Sequence, residues 1–337
     1  MQVLVIGGTL FIGRALVTAL VKAGHDVSIL HRKSTHELGN QVANIQGDRN
    51  DPESLKSALA GKNFDAVFDN VYDWDHGTTA AQVEATARLT GDRLQCYVFM
   101  LSVAAYGDGL NHHEEDALAG DDHPNTYARD KAMSERALFR MHQHDRFPAV
   151  TLRPAFVYGP GNPYYREAFF WDRLRDNRPI ILPEDGRRLM QFTYVDDLVA
   201  SCMNVLTTPD AVGHAFNVAN PSPLTQAEVV DVLALAAGKE PTYVRLQREK
   251  ILQAGGHPMG PKLYFGMYFD LPPITMVIAE AQRVLKLKPT DFAEGLTDTY
   301  RWYERQRPFP PPDYTFENDL IGTAPPSVES SDNNLRR

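Results

Sequence analysis

Through its first half the chain alternates short apolar runs with stretches of helical periodicity, and that alternation limits the fold more than any single motif. "QVLVIG" leads into a helix over about residues 12–24, then "DVSILH" and a weaker run, "ANIQG". "NDPES" supplies an N-cap and a first-turn proline for the next helix. "DAVFDN", a helix over about residues 78–90, "QCYVFMLS", the amphipathic "NTYARDKAMSERALFRMH" and "FPAVTLRP" follow. Strands joined by helices of this length need right-handed crossovers, and therefore pair in parallel with helices on both faces. The expected class is α/β, a doubly wound parallel sheet of Rossmann type.

After Pro160 the texture changes. Aromatics, prolines and arginines crowd "GNPYYREAFFWDRLRDNRPIILPEDGRR", and the alternation is lost. "FTYVDDLVASCMNVL" restores a strand-to-helix step, "AFNVAN" reads as another strand, and "TQAEVVDVLALAAG" as a helix with a threonine cap and a closing glycine. We expect a first domain over residues 1–163 with a return segment at 192–219. A smaller C-terminal α/β lobe over 164–191 and 220–315 would carry the substrate. Residues 316–337, rich in Pro, Ser and Asn, read as a tail that is disordered at least over its last dozen residues.

Composition removes several function classes. A net charge of -9 leaves no basic footprint, so nucleic acid is not the expected partner. No apolar run approaches the ~20 residues that cross a bilayer. The two cysteines, Cys96 and Cys202, lack metal-ligand spacing, so no metal is expected and a reducing compartment is. With a strand pattern starting at residue 2 and no basic leader, the expected location is cytoplasmic.

"VIGGTLFIGRALV" places Gly7 and Gly13 around the step from the first strand into the first helix. Glycines there permit a tight turn and leave amides at a helix N-terminus, where a dinucleotide pyrophosphate binds. Thr9, Leu10, Phe11 and Ile12 fill the turn. Leu10 stands where a glycine is expected; its side chain narrows the approach without removing backbone donors. At the end of the second strand, "SILHRKS" offers His31, Arg32 and Lys33 and no acid. That set favours NADP, whose 2′-phosphate calls for basic groups, over NAD. Asp48 and Arg49 in "GDRND" follow the third strand, where Asp48 either reaches the adenine or helps cap the next helix.

Tyr127 and Lys131 lie four apart on one helix face. A phenol with pKa near 10 is a poor acid–base group at neutral pH unless a nearby ammonium stabilises its phenolate. Ser102 ends the strand of "QCYVFMLS", at the sheet edge where doubly wound folds bind ligands. Its hydroxyl could polarise a substrate alcohol or carbonyl there.

Taken together, "GGTLFIG", "LSVAAYGD", Tyr127-x-x-x-Lys131, "LRPAFVYGPGN", "QFTYVDDLV" and "AFNVAN" resemble the extended short-chain dehydrogenase/reductases of the NAD-dependent epimerase/dehydratase family over residues 1–305. The Gly-Gly-Thr-x-Phe-Ile-Gly form resembles an atypical branch that includes chloroplast stem-loop RNA-binding proteins. The resemblance implies Ser102, Tyr127 and Lys131 as the catalytic set, with Lys131 also holding the nicotinamide ribose. It implies Pro154, Phe156 and Val157 at the nicotinamide, and a homodimer built through the helix of Tyr127. Asn70, Tyr72 and Trp74 replace the small residues usual after the fourth strand, so the pocket is reshaped on the nicotinamide side.

Two departures narrow the reaction. Val103 and Ala104 follow Ser102 where 4,6-dehydratases carry an Asp-Glu pair, so elimination of water lacks its groups. Met190 stands where sugar-nucleotide epimerases carry an arginine for the substrate diphosphate; Arg187 and Arg188 either substitute for it or are exposed turn residues. A smaller sugar- or polyol-like substrate is expected, with Tyr72, Ser102, Asn162, Tyr165, Arg166 and Arg188 as its contacts and Tyr164, Phe169 and Trp171 as further aromatic candidates. The expected activity is epimerisation or oxidoreduction at a secondary alcohol or ketone. The alternatives are a non-catalytic nucleotide-sensing protein and an RNA-binding or RNA-processing one on the same scaffold.

Overall fold

The computed structural model describes residues 1–91 and 93–322. Five strands precede residue 101: β1 (Gln2–Ile6), β2 (Asp26–His31), β3 (Val42–Gln46), β4 (Ala66–Asp69) and β5 (Cys96–Met100). With Ala149–Pro154 and Ala215–Val218 they form one seven-stranded sheet, every pair parallel. The order is Ala215–Val218, Ala149–Pro154, β5, β4, β1, β2, β3. After β3 the chain therefore crosses back over β1 to place β4 on its other side. The carboxyl ends of β1 and β4 border the crevice that such a reversal opens.

Alternate residues of β1 serve opposite faces. Val3 and Val5 pack with Leu16, Val17 and Leu20 of α1 (Phe11–Lys22). Leu4 and Ile6 pack with Leu55 and Leu59 of α2 (Pro52–Leu59), and with Val83 of α3 (Ala80–Arg88) and Leu138 of α4 (Thr126–Asp145). Each such side chain contributes about 1.5–3 kcal/mol relative to exposure, and covering both faces is what makes an all-parallel sheet stable. Local chemistry sets the helix starts. Asp51 accepts from the amides of Glu53 and Ser54, Thr79 and Gln82 form a reciprocal capping box, and Asn125 caps α4 through the Ala128 amide. The capping box begins α3 at residue 80, two residues inside the expected helix.

Beyond residue 155 the sheet pieces are short. Phe156–Tyr158 pairs in parallel with Phe192–Tyr194, and Ile180–Pro183 with Tyr243–Leu246. The helices Glu167–Arg175, Gln226–Ala236 and Phe292–Gln306 enclose an aromatic core of Phe169, Phe170, Trp171, Phe192, Phe265 and Tyr303. The Trp171 indole donates to the Leu233 carbonyl at 3.0 Å. Phe169 and Trp171, candidates for stacking on a substrate, are therefore core residues. The helix Thr315–Ile321 docks by the buried pair Arg173–Glu317 at 2.7 Å, so the start of the expected tail is folded. The last dozen residues lie outside the described residues.

Among the described residues no helix is long and apolar enough to cross a membrane, and no group of three or more His, Cys, Asp or Glu could hold a metal ion. Both cysteines are free and buried.

Candidate active site

The turn from β1 into α1 is built by backbone. Gly7 has φ +83, and a Cβ on Gly13 would lie 2.0 Å from the Gly7 carbonyl oxygen. Only glycine at both positions lets the helix seat this closely on the strand end. Leu10 precedes the helix in extended conformation with no side-chain cap, its side chain turned to solvent at 69% exposure. Phe11 opens the helix with φ +36. Thr9, Phe11 and Ile12 are part-buried around this turn. The first-turn amides thus carry neither a side-chain acceptor nor an acidic neighbour, and an anion there is favoured by both donors and helix dipole.

The three expected catalytic residues meet at the carboxyl end of β5. Ser102 caps the short 3-10 turn Val103–Tyr106, its Oγ accepting from the Ala104 amide at 3.2 Å. Tyr127 stands in the first turn of α4, its hydroxyl near enough to Ser102 for the serine to act on its ionisation. Burial pushes the phenol up to about 12, and Ser102 pulls the other way. Lys131, one turn on, is buried and donates to the Met100 carbonyl at 2.6 Å. Burial brings its ammonium down to about 8; Asp69 opposes that shift and Arg49 adds to it. The Lys131 Nζ lies 5.9 Å from the centre of the Tyr127 ring and 4.7 Å from that of Phe99.

Two residues after β4 cover Tyr127. The Tyr72 ring meets it edge-on at 4.8 Å, and the Trp74 indole stacks on it at 4.9 Å and 22°. The Tyr72 hydroxyl donates to Asp130 at 3.1 Å; burial first, and then this bond, raise its phenol. Trp74 remains 58% exposed. The reshaped pocket expected from "DNVYDW" is an aromatic wall. Asn70, at the head of this segment, has both side-chain polar atoms buried and without a partner.

Other expected contacts divide by what else claims them. Arg166 and Tyr164 lie close enough to Tyr127 to act on its charge. Phe156 packs on Phe192 and Phe269, and Val157 gives its carbonyl to Arg166 at 3.1 Å. Pro154 is buried at the end of its sheet strand. Asn162 is buried, donating to Glu167 at 2.9 Å and accepting from the Tyr164 amide. Tyr165 turns from the pocket: its hydroxyl donates to Asp172 at 2.5 Å and its ring packs on Phe169 and Phe309. Arg49 is turned inward, away from an adenine site, because the fully buried Asp69 needs a cation; Tyr97 donates to the same carboxylate at 2.6 Å. Arg188 donates to the Asp270 carbonyl and, at 3.1 Å, to its carboxylate, which also binds Arg248. Asp48 closes a turn, accepting from the Asn50 amide, while Asp51 is the helix cap. His31 bonds Asn44 at 2.5 Å; Arg32 and Lys33 stay exposed, Arg32 with only Asp73 at 4.0 Å.

Sequence reasoning missed Tyr268. Its ring lies 5.8 Å from that of Tyr164 and 5.2 Å from the Arg166 guanidinium, held there by a left-handed backbone, φ +70. No pattern in "KLYFGMYFD" marks that conformation.

The sequence matches the model of the NAD dependent epimerase/dehydratase family over residues 3–219. The chain belongs to this family. It is 30% identical over 317 residues to the chloroplast stem-loop binding protein of 41 kDa b of Arabidopsis thaliana, which covers 89% of this chain and 78% of that one. It is 30% identical over 262 residues to the 2-alkyl-3-oxoalkanoate reductase of Stenotrophomonas maltophilia, covering 71% and 76%. The UDP-glucuronic acid 4-epimerase of Bacillus cereus, solved with UDP-glucuronic acid and NAD, superposes with a TM-score of 0.70 at 20% identity over 90% of this chain and 99% of that one. The family and the doubly wound fold read from the motifs are those found. A nicotinamide dinucleotide fits the residues present: the Gly7–Gly13 approach opens a pyrophosphate seat, and the Asn70 amide just beyond β4 is left without a partner.

Proposed function

We propose that the chain is an NAD(P)-dependent epimerase or oxidoreductase that transfers hydride at a secondary alcohol or ketone carbon of a sugar or sugar-like substrate. The meeting of Ser102, Tyr127 and Lys131 at the carboxyl end of β5 carries this reading. The first-turn amides of α1 would hold the pyrophosphate, Lys131 the nicotinamide ribose, and Asn70, Phe156 and Val157 the ring. The bound dinucleotide supplies the acceptor and donor of the hydride. Ser102 orients the substrate oxygen, and Tyr127 gives or takes the proton at that oxygen. With its phenol at about 12, Tyr127 is protonated at neutral pH and ready to donate to a carbonyl, which suits reduction. Lys131, mostly ammonium below about 8, stabilises the phenolate that reduction leaves behind.

Three features support a compact substrate. Val103 and Ala104 give the site no carboxylates for dehydration. Met190 is buried in a strand pair with Leu224, and Arg188 is occupied by Asp270 rather than open to a diphosphate. The reductase relative from Stenotrophomonas maltophilia acts, by its name, on a ketone without a nucleotide. Exposed Arg32 and Lys33 support NADP over NAD.

Mixing the protein with NADPH or NADH and a panel of ketones and sugars, and following the reduced-nicotinamide absorbance, tests this. Tyr127→Phe should lower kcat by about 10²–10⁴-fold; turnover equal to the parent's would overturn the role of Tyr127. A second reading, RNA binding, is favoured by the relation to the stem-loop binding protein and opposed by the charge of -9. A salt-sensitive mobility shift with structured RNA, together with indifference to Tyr127→Phe, would revive it.

A further inference from the structure

Arg166 is a buried guanidinium that pairs with no carboxylate. Among the described residues the three other buried arginines each have one: Arg49 with Asp69, Arg153 with Glu135 and Arg173 with Glu317. Arg166 is only 9% exposed, yet its Nη1 donates to the Val157 carbonyl, its Nε is buried without a partner, and its Nη2 forms no hydrogen bond among the described residues. The adjacent Glu167 forms no ion pair with it and acts on the guanidinium only at longer range. One Glu167 oxygen takes the Asn162 amide and the other is itself unpartnered.

The group is instead held by rings. Tyr164, Tyr268 and Phe156 stand 4.6, 5.2 and 5.5 Å from the guanidinium carbon. Aromatic faces stabilise the cation without neutralising it, and burial still pulls the guanidinium below its usual range. Tyr268 keeps its place through a left-handed backbone, with its amide on the Pro258 carbonyl at 2.8 Å. The box lies within electrostatic reach of Tyr127, since Arg166 and Tyr127 each act on the other's charge. A buried cation with no direct ion pair is costly until a counter-ion arrives.

We infer that Arg166 is the receptor for a carboxylate on the substrate, so that the molecule oxidised or reduced beside Tyr127 is a hydroxy or keto acid. The edge left without partners, Nε and Nη2, is the one that pairs side-on with a planar carboxylate. A phosphoryl group would bring a second charge and a third oxygen, and the box offers a single cation. This inference rests on the hydride-transfer reading, and the experiment separates the two.

Melting of the full chain is measured with 3-hydroxybutanoate and with glucuronate, each against its methyl ester, in the parent, Arg166→Met and Arg166→Lys. The acids should raise the melting temperature and the esters should not. The acid effect should vanish in Arg166→Met and persist, reduced, in Arg166→Lys. In turnover, KM for the acids should rise about tenfold or more in Arg166→Met relative to the esters, with a smaller change in kcat. Should Arg166→Met fail to fold, the Arg166→Lys comparison decides. Equal responses to acid and ester, a parent-sized acid response in Arg166→Met, or a larger shift from inorganic phosphate than from either acid would overturn the assignment. An Arg166-dependent acid shift without Tyr127-dependent hydride transfer would keep the carboxylate site and sink the enzymatic reading. Tyr127-dependent transfer indifferent to substrate charge would do the reverse.

Discussion

The turn at Gly7–Gly13 and the pocket around Arg166 solve different problems with different materials. The turn is backbone: two residues without side chains bring a helix end onto a strand end, and its donors are main-chain amides. The pocket is made of side chains from distant segments, Tyr72 and Trp74 after β4, Tyr127 on α4, Tyr164 and Arg166 before a later helix, and Tyr268 beyond that. Backbone geometry leaves a short, local imprint on a sequence. A side-chain pocket depends on which groups have no other partner, and that is settled only in three dimensions.

The sharpest way to break this contrast is Gly13→Ala. The new Cβ has nowhere to go at 2.0 Å from the Gly7 oxygen, so α1 must shift. Displacement of this kind costs about 3 kcal/mol, and calorimetry should show dinucleotide Kd rising about 100-fold. A wild-type Kd would mean that the backbone is not the seat.

On the pocket side, two arginines separate ligand work from structural work. Arg188→Met strips the fully buried Asp270 of one of its two arginines and should lower stability by about 1–3 kcal/mol in denaturant melts while leaving substrate KM unchanged. Arg166→Met removes a buried charge that has no direct ion pair, so it should cost less stability than Arg188→Met while KM for the acids rises. If the two variants exchange behaviours, the assignment of ligand and structural roles is reversed.

Arg32→Ser asks whether exposed basic side chains add to the backbone seat. The ratio of NADP to NAD use, measured as kcat/KM, should fall about tenfold; an unchanged ratio would remove Arg32 from cofactor choice. A further test concerns Lys131, whose pKa is depressed in the folded state from 10.5 to about 8. Between those values the unfolded chain holds a proton that the folded one has released, so stability gained from this group rises with pH across the window. The melting temperature of the parent minus that of Lys131→Met should increase from about pH 8 toward pH 10.5. A flat difference would mean that Lys131 is not held in a low-dielectric site.

What the sequence disclosed follows the same division. The strand–helix alternation, Gly7, Gly13 and the Tyr127–Lys131 spacing are local, and each was readable because one turn of chain contains the whole signal. Arg49, Arg166 and Arg188 look alike on paper. Asp69 claims the first, lying 20 residues away, and Asp270 claims the last, lying 82 away. Tyr165 was a reasonable pocket candidate until Asp172 took its hydroxyl. Tyr268 gave no sign, since a left-handed backbone at an aromatic residue is imposed by its surroundings.

The protein contains three tryptophans. Trp171 is sealed in the aromatic core, whereas Trp74 lies open to water with its face on the Tyr127 ring. Any molecule that settles over that tyrosine must slide beneath the indole or push it aside. The change in steady-state emission on adding a ligand, over the signal of Trp171 and the half-buried Trp302, would then follow occupancy without a label.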